Sequence, residues 1–123
     1  MHITIEEFSA QHRIQAYGPE GILVADSLHT DVLMISAETV ITDWTGPAPA
    51  ALDEASLGPM LEQDPEIIVI GTGVSTIALP EGLAIPLQSR GIGLEVMATG
   101  PACRTFNILL SEHRRVVALL YPE

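Results

Sequence analysis

The chain of 123 residues contains no lysine, five arginines and one cysteine. A phosphate-binding P-loop needs a lysine on the phosphates, and a Schiff-base enzyme needs a lysine amine. The composition therefore excludes both classes of site. A single cysteine cannot form an internal disulfide, so nothing indicates an oxidising compartment.

Long hydrophobic runs are also absent. No segment approaches the ~18 consecutive apolar residues of a membrane span. Residues 1–7 lack the basic start and apolar stretch of a signal peptide. We therefore expect a cytoplasmic protein without membrane insertion. The hydrophobic content of 47% is ample for one core, and we expect residues 1–123 to form a single domain.

Positive charge is scarce in the first half of the chain. Residues 1–66 contain twelve acidic residues and one arginine, whereas residues 67–123 contain four of each. The formal net charge of −11 therefore comes from the first half. Such an acidic surface repels phosphate backbones, so we expect no nucleic-acid binding, and it favours a basic protein partner.

Metal ligands are sparse. The four histidines, at positions 2, 12, 29 and 113, show no close pairing, and the single cysteine supplies only one soft ligand. The spacing predicts no metal site, and no pattern indicates a cofactor.

Short apolar runs bounded by glycine and proline predict an α/β fold. A hairpin is predicted around the Gly-Pro-Glu-Gly turn at residues 18–21. Pro59 is compatible with a helix if Ser56 is the N-cap. The predicted strands are residues 13–17, 22–25, 31–35, 40–44, 67–71, 94–97 and 115–121. The predicted helices are residues 56–63, residues 79–90 with a break or kink at Pro86, and residues 102–110.

The candidate site follows from two of these strands. One ends at Gly71-Thr72-Gly73, and the other ends just before Thr99-Gly100-Pro101. Two strands joined by a helical crossover are parallel, and ligands of open α/β sheets bind beyond the carboxyl ends of such strands. We therefore expect both segments to lie at one edge, with their backbone N–H groups facing a shared anion cleft. The candidate ligand-binding residues are Gly71, Thr72, Gly73, Thr99, Gly100, Cys103 and Arg104.

The two glycines also have a simpler interpretation. A dinucleotide fingerprint would need a third glycine at position 76, which is Thr76, and a helix that starts there. Neither is present. Two glycines also let the chain turn sharply as it leaves a sheet, and we favour that interpretation.

Cys103 is the only candidate nucleophile. If Thr99 or Gly100 caps the helix and Pro101 is its first residue, Cys103 lies in the first turn. The helix start and Arg104 would then favour the thiolate. No base or orienting residue is near it in the sequence, and a free cysteine is often a small apolar core residue. We therefore assign no catalytic residue, keep Cys103 as the candidate and expect a protected thiol.

Several segments together resemble a known family. They are Tyr17-Gly18-Pro19, the run of residues 67–73 ending in Gly-Thr-Gly, Arg-Gly-Ile-Gly-Leu-Glu-Val-Met at 90–97, and Ala-Cys-Arg-Thr-Phe-Asn at 102–107. In this order and spacing they resemble the Mth-type domain family of unknown function. Its members include the mitochondrial complex I assembly factor 3 and the adipogenesis-associated Mth-domain protein.

The resemblance implies a three-layer α/β fold, with a central mixed sheet, helices and an additional β layer from the N-terminal strands. It implies no established reaction. The mitochondrial member is an accessory factor in building the respiratory NADH:ubiquinone oxidoreductase, which implies a protein partner. This chain has no Arg-rich targeting segment before its domain, so a bacterial cytoplasmic protein is expected.

Two hypotheses follow. The first is a non-enzymatic accessory or assembly factor that binds another protein. The second is a small enzyme or anion-binding protein that uses Cys103, Arg104 and the Gly71–Gly73 turn. We favour the first, because a fold alone does not determine a reaction and no complete catalytic set is present.

Overall fold

The computed structural model describes residues 12–123 and contains two β-sheets. In chain order the strands are β1 (Ile14–Gly18), β2 (Gly21–Val24), β3 (Ser27–His29), β4 (Leu33–Ser36), β5 (Val40–Ile41), β6 (Ile67–Gly71), β7 (Gly93–Met97) and β8 (Val116–Leu120). The α-helices are α1 (Gly58–Leu61), α2 (Ala84–Ser89) and α3 (Thr99–Ser111). Short 3₁₀ helices span Pro49–Ala51, Ala55–Leu57 and Glu81–Leu83. Residues 1–7, on which the signal-peptide prediction depends, lie outside the described residues.

The central sheet has the strand order β5-β4-β8-β6-β7. Strand β8 lies in its middle, antiparallel to β4 and parallel to β6, and β6 is also parallel to β7. Every side chain of β8 is buried because both faces of the sheet are covered. Ala118 and Leu120 face one core, whereas Val117 and Leu119 face the other.

Different elements cover the two faces. Helix α3 and the three-stranded antiparallel sheet β1-β2-β3 pack on the face that contains Ala118. The opposite face is covered by α1, α2 and the 3₁₀ segments, through Leu57, Met60, Leu83 and Leu87. The predicted α/β fold, with a mixed sheet, helices and an additional N-terminal β layer, is confirmed. Within residues 12–123, no helix is long and apolar enough to cross a bilayer.

The N-terminal hairpin is confirmed, but the third strand of the small sheet was not predicted from the sequence. Strand β3 follows β2 after a two-residue turn at Ala25 and Asp26, whose φ angles are 49° and 65°. Two-residue hairpin turns of this kind usually contain Asn-Gly or Gly-Gly, so an alanine hides the signal. The side chain of Gln15 stabilises the turn by accepting a hydrogen bond from the Asp26 N–H, 2.8 Å away.

Two helix boundaries differ from the prediction. Ser56 does not cap an α-helix; it lies inside a 3₁₀ turn, where its N–H donates to the Asp53 carboxylate, and α1 ends at Leu61. Pro59 lies at the start of α1, where a missing donor costs little. Pro86 neither breaks nor kinks the second helix, because α2 starts only at Ala84 and places the proline in its first turn.

Asn107 of α3 fastens the small sheet to the rest of the fold. Its Oδ1 accepts the Ile14 N–H at 2.9 Å, and its Nδ2 donates to the Ile14 carbonyl at 2.9 Å. The register of the ladder between β1 and β2 shifts between Ile14 and Ala16. At this irregularity the Asn107 side chain pairs with the N–H and carbonyl groups of Ile14. The helix thereby fixes where β1 begins.

We predict that Asn107→Ala destabilises the fold by about 1–3 kcal/mol, because the half-buried backbone groups of Ile14 lose their partners. Urea unfolding measures the loss, and hydrogen exchange of the Ile14 amide should become faster. Ser111→Ala is the matched control on the same helix, since its hydroxyl donates only to the exposed Ile108 carbonyl. It should change stability by less than about 0.5 kcal/mol. Equal effects of the two substitutions would contradict the proposed role of Asn107.

Candidate functional site

The two glycine-containing segments lie at one edge of the central sheet, as predicted. Strands β6 and β7 are parallel, and the last residue of β6, Gly71, pairs with Met97 at the end of β7. The carboxyl ends of both strands therefore lie side by side at this edge. The turn after β6 and the start of α3 meet there.

The backbone groups at this edge bind each other. The Gly73 N–H donates to the Thr99 hydroxyl at 2.8 Å, and the Thr99 N–H donates to the Gly73 carbonyl at 2.8 Å. The Thr99 hydroxyl in turn donates to the Tyr121 carbonyl at 2.6 Å. The Thr72 N–H is bound by the Met97 carbonyl at 2.8 Å. The predicted donors thus come together, but three of them are occupied by protein acceptors.

Close packing explains the glycines of the turn. A Cβ on Gly71 would lie 3.0 Å from the Thr99 Cα, the Ala102 Cβ and the Leu120 Cδ2. Gly73 has a φ of 103°, which residues with a side chain rarely adopt. The first glycine therefore allows α3 to approach the sheet, and the second allows the chain to turn away from it.

The turn also forms the base of an exposed loop, residues 74–77. The Thr72 hydroxyl donates to the Ser75 carbonyl at 2.7 Å and accepts the Ile77 N–H at 3.0 Å. Thr72 itself is buried, whereas Val74 is 82% exposed and Ile77 is 39% exposed. A fixed base therefore presents two apolar side chains to solvent.

The start of α3 differs from the prediction. Neither Thr99 nor Gly100 is the cap; Ala98 occupies that position in an extended conformation, without a side-chain hydrogen bond. The helix begins at Thr99, so Pro101 is its third residue, and Cys103, as the fifth, follows the first turn. The sequence could not show this, because the Thr99 hydroxyl forms hydrogen bonds with Gly73 and Tyr121, which are distant from it in the sequence.

Cys103 lies in the interior. Its side chain has no exposed surface and belongs to the core between α3 and the central sheet. Burial raises the pKa of its thiol to about 12, and the nearby carboxylate of Glu123 adds to this rise. The Arg104 guanidinium opposes the rise only in part. The thiol is therefore protonated and inaccessible at neutral pH.

Arg104 and Gly100 contact the small sheet. Arg104 lies over the Tyr17 ring, 5.9 Å from its centroid, and donates a hydrogen bond to the Tyr17 hydroxyl. A Cβ on Gly100 would lie 3.3 Å from the Tyr17 ring and from a carboxylate oxygen of Glu123. Two candidate ligand residues thus dock the N-terminal layer onto α3.

The chemical capacity of this edge follows from these contacts. Its only thiol is buried, its hydroxyls from Thr72 and Thr99 bind backbone groups, and its arginine binds a tyrosine. Among residues 12–123, no three His, Cys, Asp or Glu side chains form a cluster suited to a metal ion. The apolar side chains that the edge exposes to solvent are Val74 and Ile77, on the loop of residues 74–77.

Three further residues matter here, although no sequence pattern marked them as part of a site. Asn107 and Tyr17 were noted only as parts of the family resemblance, although both hold the small sheet. The exposed Val74 carries no periodic signal in the sequence. A useful sign would have been an apolar residue flanked by glycine, serine and threonine, a context typical of loops.

The arrangement of segments that carries the resemblance is matched by a known family. Residues 14–121 match the family described as protein of unknown function (DUF498/DUF598). The chain belongs to this family. The Mth-type resemblance is confirmed, because the solution structure of a Bordetella pertussis Mth938-like domain is similar, with 27% identity and a TM-score of 0.73. That comparison covers 92% of this chain and 87% of the other.

Two relatives illustrate the range of the family. An uncharacterized protein of Rhodobacter capsulatus is 35% identical over 94% of this chain and 88% of its own length. The Danio rerio NADH dehydrogenase [ubiquinone] 1 alpha subcomplex assembly factor 3 is 32% identical over 95% of this chain and 68% of its own length. The relatives thus include a protein named as an assembly factor as well as a bacterial protein.

Two further solved structures share the fold. A crystal structure from Bordetella parapertussis has 32% identity and a TM-score of 0.84, and covers 93% of this chain and 98% of its own. A crystal structure described as an outer membrane protein from Bartonella henselae has 38% identity and a TM-score of 0.74, and covers 94% and 98%. The cytoplasmic location of the present chain stays a prediction.

We predict that Gly71→Ala destabilises the protein by about 1–3 kcal/mol, because the added Cβ overpacks the contact between β6 and α3. Gly82→Ala is the matched control. Gly82 has no atom within 4 Å of its would-be Cβ and no left-handed φ, so alanine fits there. The control should be neutral or stabilising by up to about 1 kcal/mol. Thermal unfolding of both variants tests this difference, and a stable Gly71→Ala would contradict the packing role.

We also predict that iodoacetamide alkylates Cys103 only when the protein unfolds, because the folded thiol is buried and protonated. The measurement is the alkylation rate against pH on native and urea-unfolded protein. The control is Ile108→Cys in a Cys103→Ala background, since Ile108 is on the same helix and 57% exposed. That thiol should react quickly in the native state.

The same burial predicts a pH effect on stability. The folded thiol has a raised pKa, so its contribution is fully present below the ordinary cysteine pKa of about 8.5. It is lost as the pH rises toward about 12. The free energy of unfolding should therefore fall more steeply above pH 8.5 in the native protein than in Cys103→Ala. Parallel curves, or rapid native alkylation near pH 7, would argue for an accessible thiolate instead.

Proposed function

We propose that this chain is a non-enzymatic accessory protein that binds another protein while a respiratory enzyme is assembled. Residues 74–77 form its contact loop. The observation that carries the proposal is the exposure of Val74 on a loop whose base is held by buried hydrogen bonds. Neighbouring exposed apolar side chains mark surfaces that bind proteins, and Val74 and Ile77 lie on the same short loop.

Rigidity of the loop base favours binding. Association costs free energy whenever mobile side chains and loops become ordered at an interface. Here the Thr72 hydroxyl and the Gly73 backbone already fix both the path and the exit of the loop. The partner therefore has to order little of the loop base on binding. Less of the favourable free energy from burying Val74 and Ile77 is then offset by the cost of ordering the loop.

The enzyme hypothesis has less support. It needs an accessible nucleophile or an unoccupied set of anion donors at the carboxyl edge. Cys103 is buried, and the Gly73 and Thr99 N–H groups are bound within the protein. These contacts leave the accessory role as the function that the edge supports best.

The name of one relative supports the choice of the enzyme that is assembled. The Danio rerio relative is named as an assembly factor of NADH dehydrogenase [ubiquinone], and it is 32% identical over 95% of this chain. We therefore take the respiratory NADH:ubiquinone oxidoreductase as the enzyme whose assembly is aided. The acidic first half of the chain favours a partner with a basic surface.

Deletion of the gene in its native host tests the proposal. The amount of assembled NADH:ubiquinone oxidoreductase in membranes, measured on native gels, should fall and recover with the native gene. Val74→Glu should fail to restore it, because a charge on the contact side chain opposes burial in an interface. Purified Val74→Glu should unfold at the same temperature as the native protein, since Val74 contacts solvent.

Ile85→Glu is the matched control. Ile85 is 66% exposed on α2, outside the loop of residues 74–77, and its substitution should leave assembly intact. Normal enzyme assembly in the deletion strain would overturn the assembly role. Failure of both variants to restore assembly would show that the loop has no special part in it.

A further inference from the structure

A second feature lies at the opposite edge of the central sheet, where β8 begins. A cavity of about 460 Å³ opens between the β4–β5 turn, the end of α3 and the start of β8. Cavities of about 300–1,000 Å³ are typical of sites for small molecules. The loop of residues 74–77 follows the other end of β6, so this cavity is separate from the proposed protein contact.

The cavity combines an apolar floor with a basic wall. Leu110 and Val116 supply buried apolar surface, with 5% and 2% of each residue exposed. His113, Arg114 and Arg115 follow one another along this wall, and the acidic Glu38 of the β4–β5 turn also lines the cavity. Apolar walls with a few polar or charged groups that fix orientation are the usual composition of a ligand site.

The positive charge of this wall stands out in a chain with a formal net charge of −11 and five arginines. Glu66 and Asp64 contact the two arginines of the wall. The Arg114 Nε lies 3.6 Å from a Glu66 carboxylate oxygen, and the Arg115 Nε donates to the Asp64 carbonyl at 2.9 Å. A carbonyl carries no full charge, and it takes one of five guanidinium donors. Among residues 12–123 this is the one hydrogen bond of the Arg115 guanidinium, so its Nη groups retain donors for a ligand, while the Arg115 backbone N–H donates to the Glu66 carboxylate at 2.9 Å.

His113 stands in a conformation that normally belongs to glycine. Its φ is 61°, and it follows the last turn of α3. The His113 N–H donates to the Leu110 carbonyl, and the Arg114 N–H donates to the Leu109 carbonyl, which is the Schellman arrangement. A side chain in this conformation costs about 1 kcal/mol or more, and it places His113 in the lining of the cavity. Glycine would suit the helix end better, yet a histidine faces the cavity.

We propose that this cavity binds a small organic carboxylate with an apolar body. Arg115 and His113 bind the carboxylate, and Leu110 and Val116 pack against the apolar body. Neither half of the site suffices alone. Inorganic phosphate leaves the apolar floor uncovered, and an uncharged apolar molecule leaves the guanidinium without an anion.

The test is a titration of the ¹⁵N-labelled full chain with octanoate, followed by amide chemical shifts. Octanoate should cause saturable shifts at residues 36–39 and 113–117. Octanol has the same apolar body without the charge, and inorganic phosphate has charge without the body. Each should bind at least tenfold more weakly than octanoate.

Substitutions separate binding from folding. Arg115→Gln should weaken octanoate binding at least tenfold. His113→Gly should also weaken it, while melting at the same or a higher temperature than the native protein, because glycine relieves the left-handed conformation. The control is Arg90→Gln, since Arg90 is exposed and pairs with Glu54 elsewhere on the surface. Its affinity for octanoate should be unchanged.

Three outcomes would overturn the proposal. The first is the absence of saturable shifts at residues 36–39 and 113–117. The second is equal binding of octanoate and octanol, which would indicate nonspecific apolar association. The third is an unchanged octanoate affinity in both Arg115→Gln and a stably folded His113→Gly. The outcome of the gene-deletion experiment does not affect this proposal, because the two surfaces are different.

Discussion

The buried hydroxyl of Thr99 holds three chain segments together at the carboxyl edge of the central sheet. It accepts a hydrogen bond from Gly73 after β6 and donates one to Tyr121 after β8, while its own helix α3 begins there. A hydroxyl can donate and accept at once, and burial makes both bonds necessary because an unpaired polar group would lose its hydration. The close approach of α3 at Gly71 and the fixed base of the loop at residues 74–77 both depend on this junction.

The residues that suggested a site from their sequence pattern mostly hold the layers together. Gly100 and Arg104 contact Tyr17, and Asn107 binds the backbone at Ile14. Cys103 fills the core beneath them. The small sheet is too narrow to bury both of its faces alone, so it needs such contacts with α3. The same family segments that mark the fold in the sequence therefore also join the N-terminal layer to the rest of the molecule.

The two edges of the central sheet differ in chemistry because the chain reaches them differently. At the carboxyl edge, strand ends and the helix start satisfy each other's backbone groups, which leaves an apolar loop exposed. At the edge where β8 begins, α3 ends in a left-handed residue and the chain passes directly into Arg114 and Arg115. A cavity with basic and apolar walls results there. The two edges of one fold thus expose different chemical groups.

The sequence by itself determined the strands of the central sheet, the parallel pairing of β6 with β7, and the shared edge of Gly71 and Thr99. Runs of branched apolar residues ended by glycine are local signals, and the handedness of crossovers makes the pairing predictable. Only the tertiary structure decided that Ala98 caps α3 and that Ala25 allows a tight turn. It also decided that the N–H groups at the shared edge bind the protein itself. These outcomes depend on contacts between side chains and backbone groups that are distant in the sequence. No local sequence pattern indicates such contacts.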